Sequence, residues 1–248
     1  VLIETTGLAD PAPIIHTLMT DPQIASQYRF DGIVTIVDLA TGMYTLDQHL
    51  ESFKQAAMAD VLLLTKGDLV TEEERTILLH RLDTINPAAP RWIVNKGEIE
   101  PSKVLDLGLF STQDKALDVE RWLREEAYAE SSSHDHSHDE HAHHHDVNRH
   151  DDQIRAFCFA VDDPISEEML ATWLDVLMTF LGSNILRVKA ILNVEGQDTP
   201  IALHGVQHIF HPPVHLPAWP SEDRRSRLVF ITRGVDRETI ETTFEALR

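Results

Sequence analysis

A single cysteine, Cys158, stands in the whole chain, which excludes an internal disulfide framework and suits a reducing cytoplasm. Long apolar runs are missing too. None approaches the roughly 18 residues that cross a bilayer, and VLLL at 61–64 has the length of a core strand, so no membrane partner is expected. Nothing resembles a secretory signal peptide. Basic residues are scarce, 21 Lys and Arg against 41 Asp and Glu, for a formal charge of −20. That balance excludes non-specific nucleic-acid binding, which needs a basic surface, and favours a protein that attracts cations. There is no internal repeat. What is present is a globular composition, 42% hydrophobic over 248 residues, enough for one large domain or two ordinary ones.

The first part of the chain alternates short apolar runs with helical patterns, which predicts a mostly parallel sheet built from βαβ units. VLI (1–3), GIVTIV (32–37), DVLLL (60–64) and RWIV (91–94) are the strand candidates. Leu46, Leu50, Phe53 and Ala57 keep helical spacing between the second and third of these. A further helix is predicted from Thr71, with Glu74 three residues on as a capping box, toward a stop at Pro87. Another covers about 116–128, with Leu117, Val119, Trp122 and Leu123 at its apolar positions.

The composition then breaks. SSSHDHSHDEHAHHHD (131–146) has no apolar periodicity and cannot bury enough surface to repay its ordering entropy, so a mobile linker is expected over 129–150. A new domain follows over 151–248. IRAFCFAV (154–161) reads as a strand, and Ser166 caps a helix with Met169, Leu170, Trp173, Leu174, Leu177 and Leu181 on its apolar side, ended by Gly182. ILRVKAILNV (185–194), PIALHGV (200–206), HIF (208–210) and RLVFITR (227–233) are further strands. A last helix after Asp236 is expected to turn Ile240, Phe244 and Leu247 inward. Short connections with helices at both ends predict an antiparallel α+β sheet, so the fold class is α/β followed by a smaller α+β domain.

In an open parallel sheet, ligands bind beyond the carboxyl ends of the strands. Glu4, Asp38, the run Thr65 to Asp68 and Asn95 each follow a predicted strand, which would bring polar groups to one rim. Each has an ordinary alternative: Asp38 can cap a turn, and Asn95-Lys96-Gly97 is good turn chemistry. Thr65-Lys66-Gly67-Asp68 is the most informative piece. It has the form [N/T]-K-x-D, in which a carboxylate accepts from the ring N–H and exocyclic amine of guanine, a donor pair that adenine lacks, while the lysine stem lies along the base. In Glu4-Thr5-Thr6-Gly7, a strand-terminal carboxylate suits a Mg²⁺ water and a glycine N–H suits a terminal phosphate.

These residues carry a resemblance. IETTGLADPAPI (3–14) is similar to the Walker B region of the CobW family of metal-chaperone GTPases, relatives of the nickel-inserting GTPases of urease and hydrogenase maturation. TKGDL (65–69) agrees with its guanine-reading motif, and LRVKAILNVEG (186–196), HGVQHIFHPP (204–213) and RRSRLVFITR (224–233) resemble its C-terminal domain. The resemblance implies a GTPase domain over 1–128 and a CobW-type domain over 151–248. It further implies a GTP-hydrolysing metallochaperone, with GTP and Mg²⁺ as cofactors, zinc or cobalt as the transported metal, and a client metalloprotein as partner. Thr65, Lys66, Asp68 and Asn95 would hold the base, with Glu4 and Gly7 at the phosphate end. The oligomeric state is left open, a homo-oligomer included.

Two parts of that family's pattern are absent from these residues: the glycine-rich Walker A loop ending in Lys-Ser/Thr, and a Cys-x-Cys-Cys metal motif. The expectation is that Val1 lies inside a longer protein, and that residues 1–248 alone bind GTP weakly or not at all.

The histidines divide into two groups. His134, His136, His138, His141, His143, His144 and His145 are interleaved with Asp135, Asp139, Glu140 and Asp146. Neutral imidazoles bind Zn²⁺ or Co²⁺, and the acids raise the local cation concentration, so several weak exchanging sites are expected. A non-enzymatic metal buffer on a GTPase-like scaffold would need no more than this run. His204, His208, His211 and His215 lack a zinc-site spacing and are expected to be structural or partner-facing. Cys158 is expected to be a buried thiol without a nucleophilic role.

Overall fold

The computed structural model describes residues 1–108, 154–207 and 209–248. The described residues form two compact units, one built on Val1–Leu105 and the other on the strands and helices from Ile154 onward. The first is a three-stranded sheet of β1 (Val34–Asp38), β2 (Val61–Thr65) and β3 (Arg91–Val94), all parallel and in sequence order. Helices α1 (Pro11–Thr20) and α2 (Pro22–Ala25) precede it. The first crossover carries α3 (Gly42–Gln48) and α4 (Leu50–Met58), and the second carries α5 (Glu72–Ile85).

Phe53, Ala57, Leu62, Leu78 and Leu82 are fully buried and form the core of this unit. The Thr35 hydroxyl donates to the Gln55 carbonyl at 2.8 Å, fastening α4 along β1. The capping box predicted for α5 is present: Thr71 accepts from the Glu74 N–H, and Glu74 accepts from the Thr71 N–H. Asn86, 2% exposed, donates its side-chain amide to the carbonyls of Ala56, Ala57 and Ala59 at 2.9–3.1 Å, closing the carboxyl end of α4. Replacing Asn86 with Ala strands those buried carbonyls, and urea unfolding is expected to register a loss of about 2–3 kcal/mol.

Several expectations need correction. Val1–Ile3 form no strand; they are exposed, Val1 at 98% and Leu2 at 87%, because an apolar run becomes a strand only where a neighbour pairs with its backbone. The helical spacing across Leu46, Leu50, Phe53 and Ala57 belongs to two helices rather than one. His49 (φ −128°, ψ 107°) is extended between them, its N–H closing α3 on Thr45 O and its carbonyl opening α4 to Phe53 N. Helices α1 and α2 were not anticipated, although Asp10 and Asp21 each precede a proline and cap them as N-cap residues. The helix expected at 116–128 and the linker over 129–150 lie outside the described residues.

The second unit is a six-stranded antiparallel sheet. Its path is β4 (Ile154–Val161), β9 (Ser226–Arg233), β5 (Ile185–Leu192), β6 (Ile201–Val206) and β7 (Ile209–Phe210), with β8 (Val214–His215) paired to β6. Central β9 and β5 are buried along almost their whole length. Helices α6 (Glu167–Leu181), capped by Ser166, and α7 (Arg237–Glu245), capped by Asp236, supply Trp173, Leu177, Ile240 and Phe244 to a core shared with Phe157, Phe159, Leu228 and Phe230. Leu247 is not inward: α7 stops at Glu245, and Leu247 is 37% exposed. Gly182 ends α6 at φ −55°, without the left-handed turn its identity suggests. Among the described residues no helix is long and apolar enough to cross a membrane.

Candidate nucleotide-recognition site

The parallel pairing decides which polar groups meet. Asp38, the last residue of β1, stands opposite Thr65, the last of β2, and the Leu39 N–H donates to the Thr65 carbonyl at 3.0 Å, one step beyond. Thr65 in turn is level with Val94 of β3, so Asn95 leaves from the same edge. Asp38, Thr65 to Asp68 and Asn95 therefore share the carboxyl rim of the sheet. This part of the expected arrangement is present.

After Thr65 the backbone reverses. Lys66 takes the left-handed conformation (φ 58°, ψ 36°), which costs an L-residue roughly 1–2 kcal/mol. A single 3₁₀ turn, Gly67–Leu69, follows, closed by the Leu69 N–H on the Lys66 carbonyl at 3.1 Å. This reversal lets the lysine side chain run back toward β1, where its ammonium meets Asp38 Oδ2 at 2.5 Å. Asp38 Oδ1 meanwhile accepts from the Ala40 N–H at 2.9 Å. Burial pushes the Asp38 carboxyl up, but the Lys66 ammonium and the N–H groups of Ala40 and Thr41 outweigh it and hold the group below the ordinary aspartate value. Asp38 is thus ionised at neutral pH. Asp68 stands exposed on the 3₁₀ turn, available to a ligand that offers paired donors.

The other predicted residues are placed differently. The Thr65 hydroxyl points back to the Val37 carbonyl at 3.5 Å. The Asn95 carbonyl accepts from Glu98 N in a tight turn with Lys96 and Gly97 at positive φ, and its side chain is exposed. Glu4 lies in an exposed stretch outside the sheet, so the rim is assembled from three strands and not four. Gly7 belongs to a loop held by α4: Gln55 Nε2 donates to the carbonyls of Gly7 and Ala9 at 3.2 and 2.7 Å, and Lys54 pairs with Asp10 at 2.6 Å. Space beside Gly7 is open, with nothing within 4 Å of where a Cβ would stand. Neither Gln55 nor Lys54 was recognisable beforehand, since a polar helix residue has no local mark of its distant partner.

The run His134 to His145, including His136, His138, His141, His143 and His144, lies outside the described residues, as does His208. His204 and His211 stack face to face, centroids 4.6 Å apart and planes 7° apart, with the His211 N–H on the His204 carbonyl; His215 is exposed on β8. Cys158 is half-buried rather than fully buried, because it faces away from the core that Phe157 and Phe159 enter. Among the described residues, no three His, Cys, Asp or Glu side chains are grouped to hold a metal ion.

With this geometry in view, residues 1–92 match the family described as CobW/HypB/UreG, nucleotide-binding domain, and residues 154–248 match the Cobalamin synthesis protein cobW C-terminal domain. The chain belongs to the CobW family. Its parallel unit has the fold of a P-loop GTPase domain, and its antiparallel unit is the CobW C-terminal domain. Among curated CobW relatives, "Zinc chaperone YjiA" of Escherichia coli strain K12 is 28% identical over 247 residues, covering 100% of this chain and 70% of that protein. "Zinc-regulated GTPase metalloprotein activator 1" of Schizosaccharomyces pombe is 32% identical over 116 residues, 46% of this chain and 28% of that protein. The crystal structure of Zn(II)-bound YjiA GTPase from E. coli superposes with a TM-score of 0.71 at 24% identity, over 98% of this chain and 69% of that one, a likeness of fold.

Proposed function

We propose that this chain is part of a GTP-dependent metallochaperone, which couples GTP binding and hydrolysis to the transfer of zinc or cobalt to a client metalloprotein. The observation that carries the reading is the rim turn itself: a left-handed Lys66 anchored at Asp38, followed by an exposed Asp68, at the carboxyl edge of a parallel sheet. The names of the relatives, a zinc chaperone and a zinc-regulated GTPase metalloprotein activator, support the coupling of nucleotide to metal.

In this reading Asp68 accepts the paired N–H groups of guanine, the Lys66 stem lies along the base, and Thr65 and Asn95 border the pocket. Gly7 is the proposed contact to the terminal phosphate and Glu4 the proposed acid toward Mg²⁺. Among the described residues no three His, Cys, Asp or Glu side chains are grouped around such an ion, so Glu4 would hold it through water. The antiparallel unit is assigned to client binding or to reporting the nucleotide state. Turnover is slow, as suits a timing switch working in the cytoplasm, away from nucleic acid.

The histidine run is assigned to metal capture. Deleting residues 134–145 from the intact protein is expected to leave GTP hydrolysis within about twofold while removing most of the bound Zn²⁺ equivalents, read by equilibrium dialysis. Metal loading that survives the deletion would remove the histidines from the cycle. A protein that hydrolyses no GTP with or without the run would instead be a metal buffer.

A further inference from the structure

The ion pair between Lys66 and Asp38 does more than decorate a surface. Isolated exposed pairs contribute little to stability, yet this one has features that stability does not require. Asp38 is fixed from two sides, Oδ1 by the Ala40 N–H and the whole residue by its place in register with Thr65. Its carboxylate is half-buried, 25% exposed, so its charge is less screened than that of a free surface acid. Lys66, by contrast, is 56% exposed and sits on a strained left-handed residue that turns its side chain toward β1. A rigid anchor therefore grips the end of a flexible, solvent-facing stem.

We propose that Asp38 is a positioning residue for nucleobase recognition: its carboxylate holds the Lys66 ammonium, so that the lysine stem is set across the strand ends as a platform before the base arrives. The inference rests on the guanine reading above and adds a residue to it. Lysine is a flexible four-carbon chain, and fixing it in advance removes an ordering cost that binding would otherwise carry. Asp38 does not touch the base. It acts through Lys66.

The test is a double-mutant cycle on the intact protein, with GDP affinity measured by calorimetry to avoid turnover. Lys66→Met is expected to weaken GDP binding by about tenfold and Asp38→Asn by about fivefold, with the double variant no weaker than Lys66→Met alone. Asp38→Asn keeps an oxygen for the Ala40 N–H, so its thermal midpoint should stay within about 2 °C of the parent; Asp38→Ser serves if it does not. Asp38→Glu, which restores the charge, should recover most of the lost affinity. If Lys66→Met changes nothing, the guanine reading itself fails. If Lys66→Met weakens binding while Asp38→Asn does not, or if the two losses multiply in the double variant, the positioning role is overturned and the guanine reading stands.

Discussion

Asp68→Asn in the intact protein is expected to weaken GTP binding by about 100-fold or more, while xanthosine triphosphate loses little or gains. The carboxylate offers two acceptor oxygens to two donors on the guanine edge, and charge-assisted bonds of this kind contribute about 1.5–3 kcal/mol each. An amide turns one of those acceptors into an N–H₂, which faces a guanine donor and leaves both unpaired. Xanthine carries a carbonyl where guanine carries its exocyclic amine, so the same N–H₂ finds an acceptor there. The effect is large because both guanine donors would depend on the single carboxylate that Asp68 carries on a one-turn 3₁₀ segment. Competition calorimetry with the two nucleotides measures it directly. An unchanged preference for GTP over XTP would remove Asp68 from the base pocket, and with it the main support for the nucleotide reading.

The second large effect concerns the antiparallel unit. Trp173 is fully buried on α6 and lies edge-on to Phe159, Phe230 and Phe244, with centroids 6.2, 6.3 and 5.0 Å away. Its indole N–H donates to the Thr243 hydroxyl at 3.0 Å, tying α6 to α7. Trp173→Ala empties the centre of the core and is expected to cost about 3–5 kcal/mol, measured as a shift of the denaturant midpoint. Trp173→Phe keeps most of the volume and the edge-to-face contacts and loses chiefly the hydrogen bond, for about 1–2 kcal/mol. Equal losses for the two variants would mean that the hydrogen bond, and not packing, holds the helices on the sheet.

The segments that sequence described well share a property: their signals are local. Residues 154–161 are an apolar run of strand length interrupted by Arg155 alone, and form β4 as expected; Thr71 and Glu74 sit three apart and make the capping box; VLLL followed by TKGD becomes a strand and its exit turn. Where the reading missed, the deciding information was remote. VLI has the composition of a strand but pairs with no other strand among the described residues. The break at His49 has no glycine or proline to announce it, and Leu46 and Phe53 are buried on either side of it. Leu247 continues a helical spacing past the residue where the helix ends.

The candidate site divides in the same way. The pattern that marks it was legible, because a lysine two positions before an aspartate after a core strand is a set of neighbours in sequence. Their arrangement was not. That the ammonium of left-handed Lys66 reaches an acid 28 residues earlier rests on the parallel register that sets Asp38 against Thr65. Composition, capping and hydrophobic period act over a few residues and are written in the order of the chain; register and long-range charge pairing exist only once separate strands have been brought side by side.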